Sequence, residues 1–107
     1  MACKETTIYG GSTNLKAVVC ISSSPTGING SCKSSKSNYT FNYNMYLERY
    51  SLTTYTWVNV ATRTWQNTSG SPNQWFSIPR SKTQTYRLRV APQLSGAPAC
   101  YSPQIIH

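Results

Sequence analysis

The clearest pattern in the chain is a strict alternation from Asn38 to Glu48. Tyr39, Phe41, Tyr43, Met45 and Leu47 fall on one face, and Asn38, Thr40, Asn42, Asn44, Tyr46 and Glu48 on the other. A period of two sends successive side chains to opposite sides of a pleated strand, so this stretch reads as an antiparallel strand buried on one face. Shorter pieces repeat the pattern. Val58 and Val60 set an inward register within Tyr55–Thr64, Phe76 and Ile78 within Gln74–Ile78, and Tyr86, Leu88 and Val90 within Thr85–Ala91. Thr6–Tyr9 and Leu15–Ile21 flank the turn-forming run Gly10-Gly11-Ser12-Thr13-Asn14 and make a first hairpin. Ala99–Ile106 is a last strand. Between these pieces, Ser22–Lys36, Asn67–Asn73, Pro79–Lys82 and Pro92–Pro98 read as loops and turns from their Gly, Pro, Ser and Asn content. No helical period is present. The pattern predicts an all-β fold of about seven strands, a single antiparallel β-sandwich domain in Greek-key order, spanning residues 1–107.

Four cysteines bear on how that domain is held: Cys3, Cys20, Cys32 and Cys100. None forms a C-x-x-C pair and no histidine stands near one, which argues against a zinc or redox motif. An even count in a short Ser/Thr-rich chain points to disulfides made in an oxidising compartment. A hairpin folded about Gly11 and Ser12 sets Cys3 directly opposite Cys20, close enough to bridge. The remaining two then pair as Cys32–Cys100. The longest apolar run, Ala17–Ile21, is far short of the roughly 20 residues of a membrane-spanning helix. Met1-Ala2, with no leader before it, reads as the start of a mature secreted form.

Composition narrows the chemistry. The 107 residues carry 10 Lys+Arg against 2 Asp+Glu, a net charge of +8, and 15 Ser with 13 Thr supply most of the polarity. Glu5 and Glu48 are the only carboxylate side chains, and His107 the only imidazole. Glycosidase chemistry needs two carboxylates about one bond, and a serine triad needs an internal histidine. Neither requirement is met in a recognisable context, with His107 placed at a fraying end, so the expectation is a protein that is not an enzyme. No glycine-rich phosphate loop or metal-ligand cluster calls for a cofactor.

Two stretches resemble the fibronectin type III/immunoglobulin-like class. Tyr46-Leu47-Glu48-Arg49-Tyr50 with Trp57-Val58-Asn59-Val60 is similar to its third and fourth strands, and Tyr86-Arg87-Leu88-Arg89-Val90-Ala91 followed by Gly96 to its sixth. Val19-Cys20-Ile21 stands where such a module carries a core tryptophan on its second strand. The resemblance implies that these three strands share a sheet. Arg87, Arg89, Tyr46, Asn42, Asn44, Tyr55 and Trp57 would then point outward together, with Lys82 at the neighbouring turn and Trp75 outward on the other sheet. Arginines laid over tyrosine and tryptophan stabilise a sheet by themselves. The same residue types also bind acidic groups.

The reading that follows is a secreted binding module for an anionic polysaccharide, a cell-envelope polymer or a protein partner. Its ligand-binding residues would be Tyr46, Trp57, Lys82, Arg87 and Arg89. A cationic antimicrobial or toxin-like protein, and an extracellular structural subunit or protease inhibitor, are the alternatives. Scattered Lys and Arg argue against sequence-specific nucleic-acid recognition.

Overall fold

The computed structural model describes residues 2–9, 15–36, 41–65 and 73–107, which form strands, turns and extended segments without a helix. In chain order the strands are β1 (Ala2–Tyr9), β2 (Leu15–Ser24), β3 (Gly27–Ser34), β4 (Tyr43–Ser51), β5 (Thr56–Trp65), β6 (Asn73–Phe76), β7 (Thr85–Pro92), β8 (Cys100–Tyr101) and β9 (Ile105–Ile106). They make two antiparallel sheets. One has the order β1-β2-β3-β6; the other has β5-β4-β7-β8, with β9 also paired to β7. The connections from β3 to β4, from β5 to β6 and from β6 to β7 each change sheet.

Alternation decides which residues are buried. Tyr43, Met45 and Leu47 from β4 meet Tyr86, Leu88 and Val90 from β7, and these join Ala17, Val19 and Ile21 from β2, Ile28 from β3 and Phe76 from β6 in one core. Phe41, just ahead of β4, is buried with them. Tyr39 and the turn run Gly10–Asn14 lie outside the described residues, as does most of the polar loop beginning at Asn67. Ile78 packs against the core from beyond the end of β6.

The segment Ser22–Lys36, expected as a loop, is instead the end of β2, a two-residue turn at Pro25-Thr26, and the whole of β3. Glycines disguised it. A Cβ on Gly30 would come within 2.6 Å of Leu88 Cδ1 and 3.0 Å of Met45 Sδ, so glycine there lets the two sheets approach. A Cβ on Gly27 would collide with the Phe76 carbonyl and lie 2.6 Å from the Trp75 indole. Both positions are packing sites that sequence reading mistakes for loop punctuation.

Pairing of β1 with β2 sets Cys3 opposite Cys20, and the two form a disulfide with Cα atoms 4.0 Å apart. The second expected disulfide is absent: Cys32 and Cys100 are free, buried thiols. Each packs as a small hydrophobe, and the Cys100 thiol donates to the Pro98 carbonyl at 3.6 Å. Burial pushes the Cys32 thiol up to about 12, with the neighbouring Cys100 sulfur adding to the shift. Burial raises Cys100 too, against a hydrogen bond with Thr6. The Tyr43 phenol rises to about 12 for the same reason, moderated by the nearby Gln74 amide. Yet neither the Tyr43 hydroxyl nor Gln74 Nε2 closes a well-formed hydrogen bond.

On β5 the expected inward register holds for Val58, which pairs with Arg49 on the core side of β4, but breaks at Val60, and neither valine is buried. Leu47 pairs with Ala61 but Glu48 pairs with Asn59, so Val60 is an extra, bulged residue. Val58 and Val60 are 39% and 40% exposed rather than buried. Beyond the bulge Arg63 takes the inward position opposite Met45. Its guanidinium lies 4.9 Å from the Phe76 ring centroid and donates to the Trp75 carbonyl at 3.2 Å. A charge turned inward on an edge strand blunts edge-to-edge pairing. Tyr55, expected on this strand, lies in the preceding turn with φ of +54°.

The chain end is also ordered. The expected last strand divides into β8 and β9, and between them Ser102 Oγ accepts from the Leu88 amide at 2.8 Å. His107, expected to fray, is fully buried. Its Nε2 sits 2.7 Å from the Ile78 carbonyl and Nδ1 2.7 Å from Ser23 Oγ. A carbonyl cannot donate, so Nε2 carries a proton and donates to Ile78, while Nδ1 and the serine hydroxyl share the second hydrogen bond. Arg80 Nε donates to the same Ser23 Oγ at 3.2 Å, and the His107 amide donates to the Gln84 carbonyl at 2.8 Å.

Two outcomes are expected. Leu47→Ala should cost about 2–5 kcal/mol in urea denaturation, whereas Val60→Ala should cost about 0.5 kcal/mol; equal costs would refute the bulged register. The thiols should resist alkylation until the protein unfolds. In the unfolded chain Cys32, Cys100 and Tyr43 lose protons from about pH 8.5 to 10, while in the fold they hold them longer. The unfolded state therefore binds fewer protons, and stability should fall as pH rises through that range toward about 12. A Cys32→Ala/Cys100→Ala chain should show a shallower fall.

Candidate anion-binding face

The outward face of the β5-β4-β7-β8 sheet is built by the same period of two that fills the core. Tyr46, Glu48 and Tyr50 alternate with the buried side of β4, and Arg87 and Arg89 with that of β7. Register places Glu48 opposite Arg87 and Tyr46 opposite Arg89. Because the bulge comes at Val60, Trp57 stays on this face, opposite Tyr50, with ring centroids 5.3 Å apart in an edge-on arrangement. Tyr101 on β8 completes the row beside β7.

One carboxylate organises the two arginines. Arg87 Nε donates to Glu48 Oε1 at 2.9 Å, and Arg89 Nε donates to Oε2 at 3.1 Å. Glu48 is 7% exposed. The Arg87 guanidinium lies between two rings, 4.1 Å from the Trp57 centroid and 4.4 Å from that of Tyr101. Arg89 lies 4.1 Å over Tyr46. Such stacks contribute roughly 0.5–1 kcal/mol when exposed and about 2 when desolvated. The cluster holds two positive charges and one negative, so it keeps a net +1. Among the described residues, no hydrogen bond takes up the Nη groups of either arginine.

Of the residues expected to form this site, Tyr46, Trp57, Arg87 and Arg89 come together. Lys82 sits in the turn before β7 with φ of +62°, exposed, and none of the contacts that build the row involves it. Asn44 is on the face but is engaged, its Oδ1 accepting from Thr64 Oγ1 at 2.9 Å. Trp75 is 42% exposed on the other sheet, seated over Gly27. Glu48, Tyr50 and Tyr101 were not foreseen as members. The signal for Glu48 was present, since its parity matches that of Tyr46 on one strand.

The other carboxylate, Glu5, stands on β1 in the opposite sheet, 3.8 Å from Lys16. Among the described residues no three His, Cys, Asp or Glu side chains gather as a metal would need, and no helix is long and apolar enough to cross a membrane. No protein-family model, curated protein or solved structure matches the chain.

Glu48→Gln should lower stability by about 1–3 kcal/mol, since it removes the negative charge and turns one of the two acceptor oxygens into a donor facing a guanidinium. A loss below about 0.5 kcal/mol in denaturant titration would mean that the stacked rings alone hold the arginines.

Proposed function

We propose that the chain is a secreted, non-catalytic binding module, a single Greek-key β-sandwich domain of immunoglobulin/fibronectin III-like type. Its aromatic–arginine face engages an anionic polymer or cell-envelope surface. One observation carries this reading: Glu48 takes the Nε proton of each arginine, and among the described residues no hydrogen bond takes up the Nη groups of these two pre-oriented guanidinium ions. Held against rings, Arg87 between Trp57 and Tyr101 and Arg89 over Tyr46, these forks lose little freedom on meeting carboxylate, sulfate or phosphate oxygens. With three of their ring faces already covered by arginine, the aromatics act as clamps for the cations rather than as stacking planes for sugars.

The architecture is supported by β4, β5 and β7 sharing one sheet, as the resemblance expects, with the disulfide fitting an oxidising compartment. The net charge of +8 draws polyanions from a distance. Lys82, apart from the row and flexible, acts through charge on the association rate. A second reading has its own support. The Glu48 clamp and the stacked rings would hold the sheet without any ligand, and the face would then be structural.

Retention on an anionic resin against salt separates the two. Trp57→Ala and Arg87→Ala/Arg89→Ala should elute at markedly lower salt than a folded control with two charges removed elsewhere, Lys4→Ala/Lys33→Ala. Equal losses would reduce the attraction to net charge and overturn the site. Unchanged retention with lowered stability would leave the structural reading standing.

A further inference from the structure

Beyond the row, the end of β4 and the turn after it border an open depression of about 300 Å3, lined by Arg49, Tyr50, Ser51, Leu52, Thr53 and Gln84. Arg49 is the telling member. Both acidic side chains of the chain are committed elsewhere, Glu5 to Lys16 and Glu48 to Arg87 and Arg89. Among the described residues Arg49 therefore has no carboxylate partner, and no hydrogen bond is made by its guanidinium. The volume lies at the lower end of the range for small-molecule sites, about 300–1,000 Å3. That is room for one ring-sized unit rather than a length of chain.

The lining chemistry is mixed in a particular way. Arg49 supplies a forked cation, Ser51 and Thr53 supply hydroxyls, and Gln84 an amide. Ser51 Oγ accepts from the Thr54 amide at 3.3 Å, which orients it and leaves its proton to donate. Gln84 is held by its backbone, whose carbonyl takes the His107 amide at 2.8 Å. Tyr50 and Leu52 add apolar surface, Leu52 being 73% exposed for lack of any covering group. The turn that carries Leu52 and Thr53 ends at Tyr55, a bulky residue held at φ +54°. Such a conformation persists only where surrounding structure enforces it.

We propose that this cavity binds a single acidic sugar unit, its carboxylate on Arg49 and its hydroxyls on Ser51, Thr53 and Gln84. The inference rests on the reading of the adjoining face as a site for anionic polymer. It names the kind of polymer as an acidic polysaccharide, with one unit seated at the end of β4. Tyr50 links the two places, since it lines the cavity and also packs against Trp57.

The test is titration of the isotopically labelled protein with glucuronate, followed by amide chemical shifts, with glucose as the neutral comparator. An affinity on the order of 1 mM is what one small ring achieves. Saturable shifts at residues 49–53 and 84 with glucuronate, and weaker ones with glucose, are the expected result. Arg49→Gln should weaken binding by about 10-fold or more, the usual range for a hydrogen bond to a charged group. Thr53→Trp, at an exposed position, should fill the cavity and abolish the shifts with Arg49 left in place, which serves if Arg49→Gln folds poorly. Equal binding of glucose would overturn the proposal, as would shifts confined to Arg87 and Arg89. No saturable shifts up to roughly 50 mM, well above that affinity, would also overturn it. Any one of those outcomes, with Trp57→Ala and Arg87→Ala/Arg89→Ala still eluting at lower salt than the Lys4→Ala/Lys33→Ala control, would remove the cavity and leave the adjoining face intact. Equal elution of those variants and the control, with glucuronate shifts still at residues 49–53 and 84, would count against the face and leave the cavity as a site for the single unit.

Discussion

The outer face of the larger sheet depends on one buried carboxylate. Glu48 accepts from two arginines on the neighbouring strand, and each of those arginines lies against an aromatic ring. The arrangement works because β4 and β7 are in antiparallel register with Glu48 opposite Arg87. A shift of one residue between them would put Glu48 and the two arginines on opposite faces of the sheet. Burying a carboxylate is unfavourable unless it is paired and hydrogen-bonded. The two arginines meet that requirement and in return are held in place. Stability and site geometry are thus set by the same contacts.

The bulge at Val60 has consequences on both sides of the sheet. Without the extra residue, either Trp57 or Ala61 would be on the wrong face, because side chains alternate along a regular strand. With it, Trp57 reaches Arg87 while Ala61 packs toward the core and Arg63 closes over Phe76. One inserted residue therefore reconciles an aromatic needed outside with a small residue needed inside. It also leaves Val58 and Val60 on a twisted edge next to an inward charge, an arrangement that opposes pairing with another chain.

What could be read from the residues follows the range of the interactions involved. The alternation in β4 and β7 gave their buried sets because burial on a sheet face is a local, period-two property. The Cys3–Cys20 bridge followed from hairpin register for the same reason. The strand β3 was hidden because its glycines are required by Leu88, Met45 and Trp75, all distant in sequence. Pairing Cys32 with Cys100 relied on elimination, and elimination fails when a thiol is simply a small core residue. His107 was misjudged because chain ends usually fray, and only Ser23, Ile78, Gln84 and Ser81 together show why this one does not. The face was half legible. Parity put Tyr46, Glu48, Arg87 and Arg89 on one side, but only the register across strands joins them into a cluster.

The shortage of acidic residues links these local features to the proposed role. With only two carboxylates among 107 residues, the fold cannot neutralise its cations internally. The structure assigns Glu5 to an exposed pair, where such contacts contribute little, and Glu48 to the sheet face. Other cations are placed differently. Arg63 and Arg80 are engaged with a carbonyl and a hydroxyl, which bind the guanidinium without reducing its charge. Arg49 lines a cavity, and Lys82 stands in a turn. Clustered positive charge repels itself and works against the compact state. A bound polyanion would relieve that repulsion and, by favouring the folded form, stabilise it in proportion to its occupancy. The electrostatic feature least favourable to the isolated chain is then the one that an anionic partner would turn to its advantage.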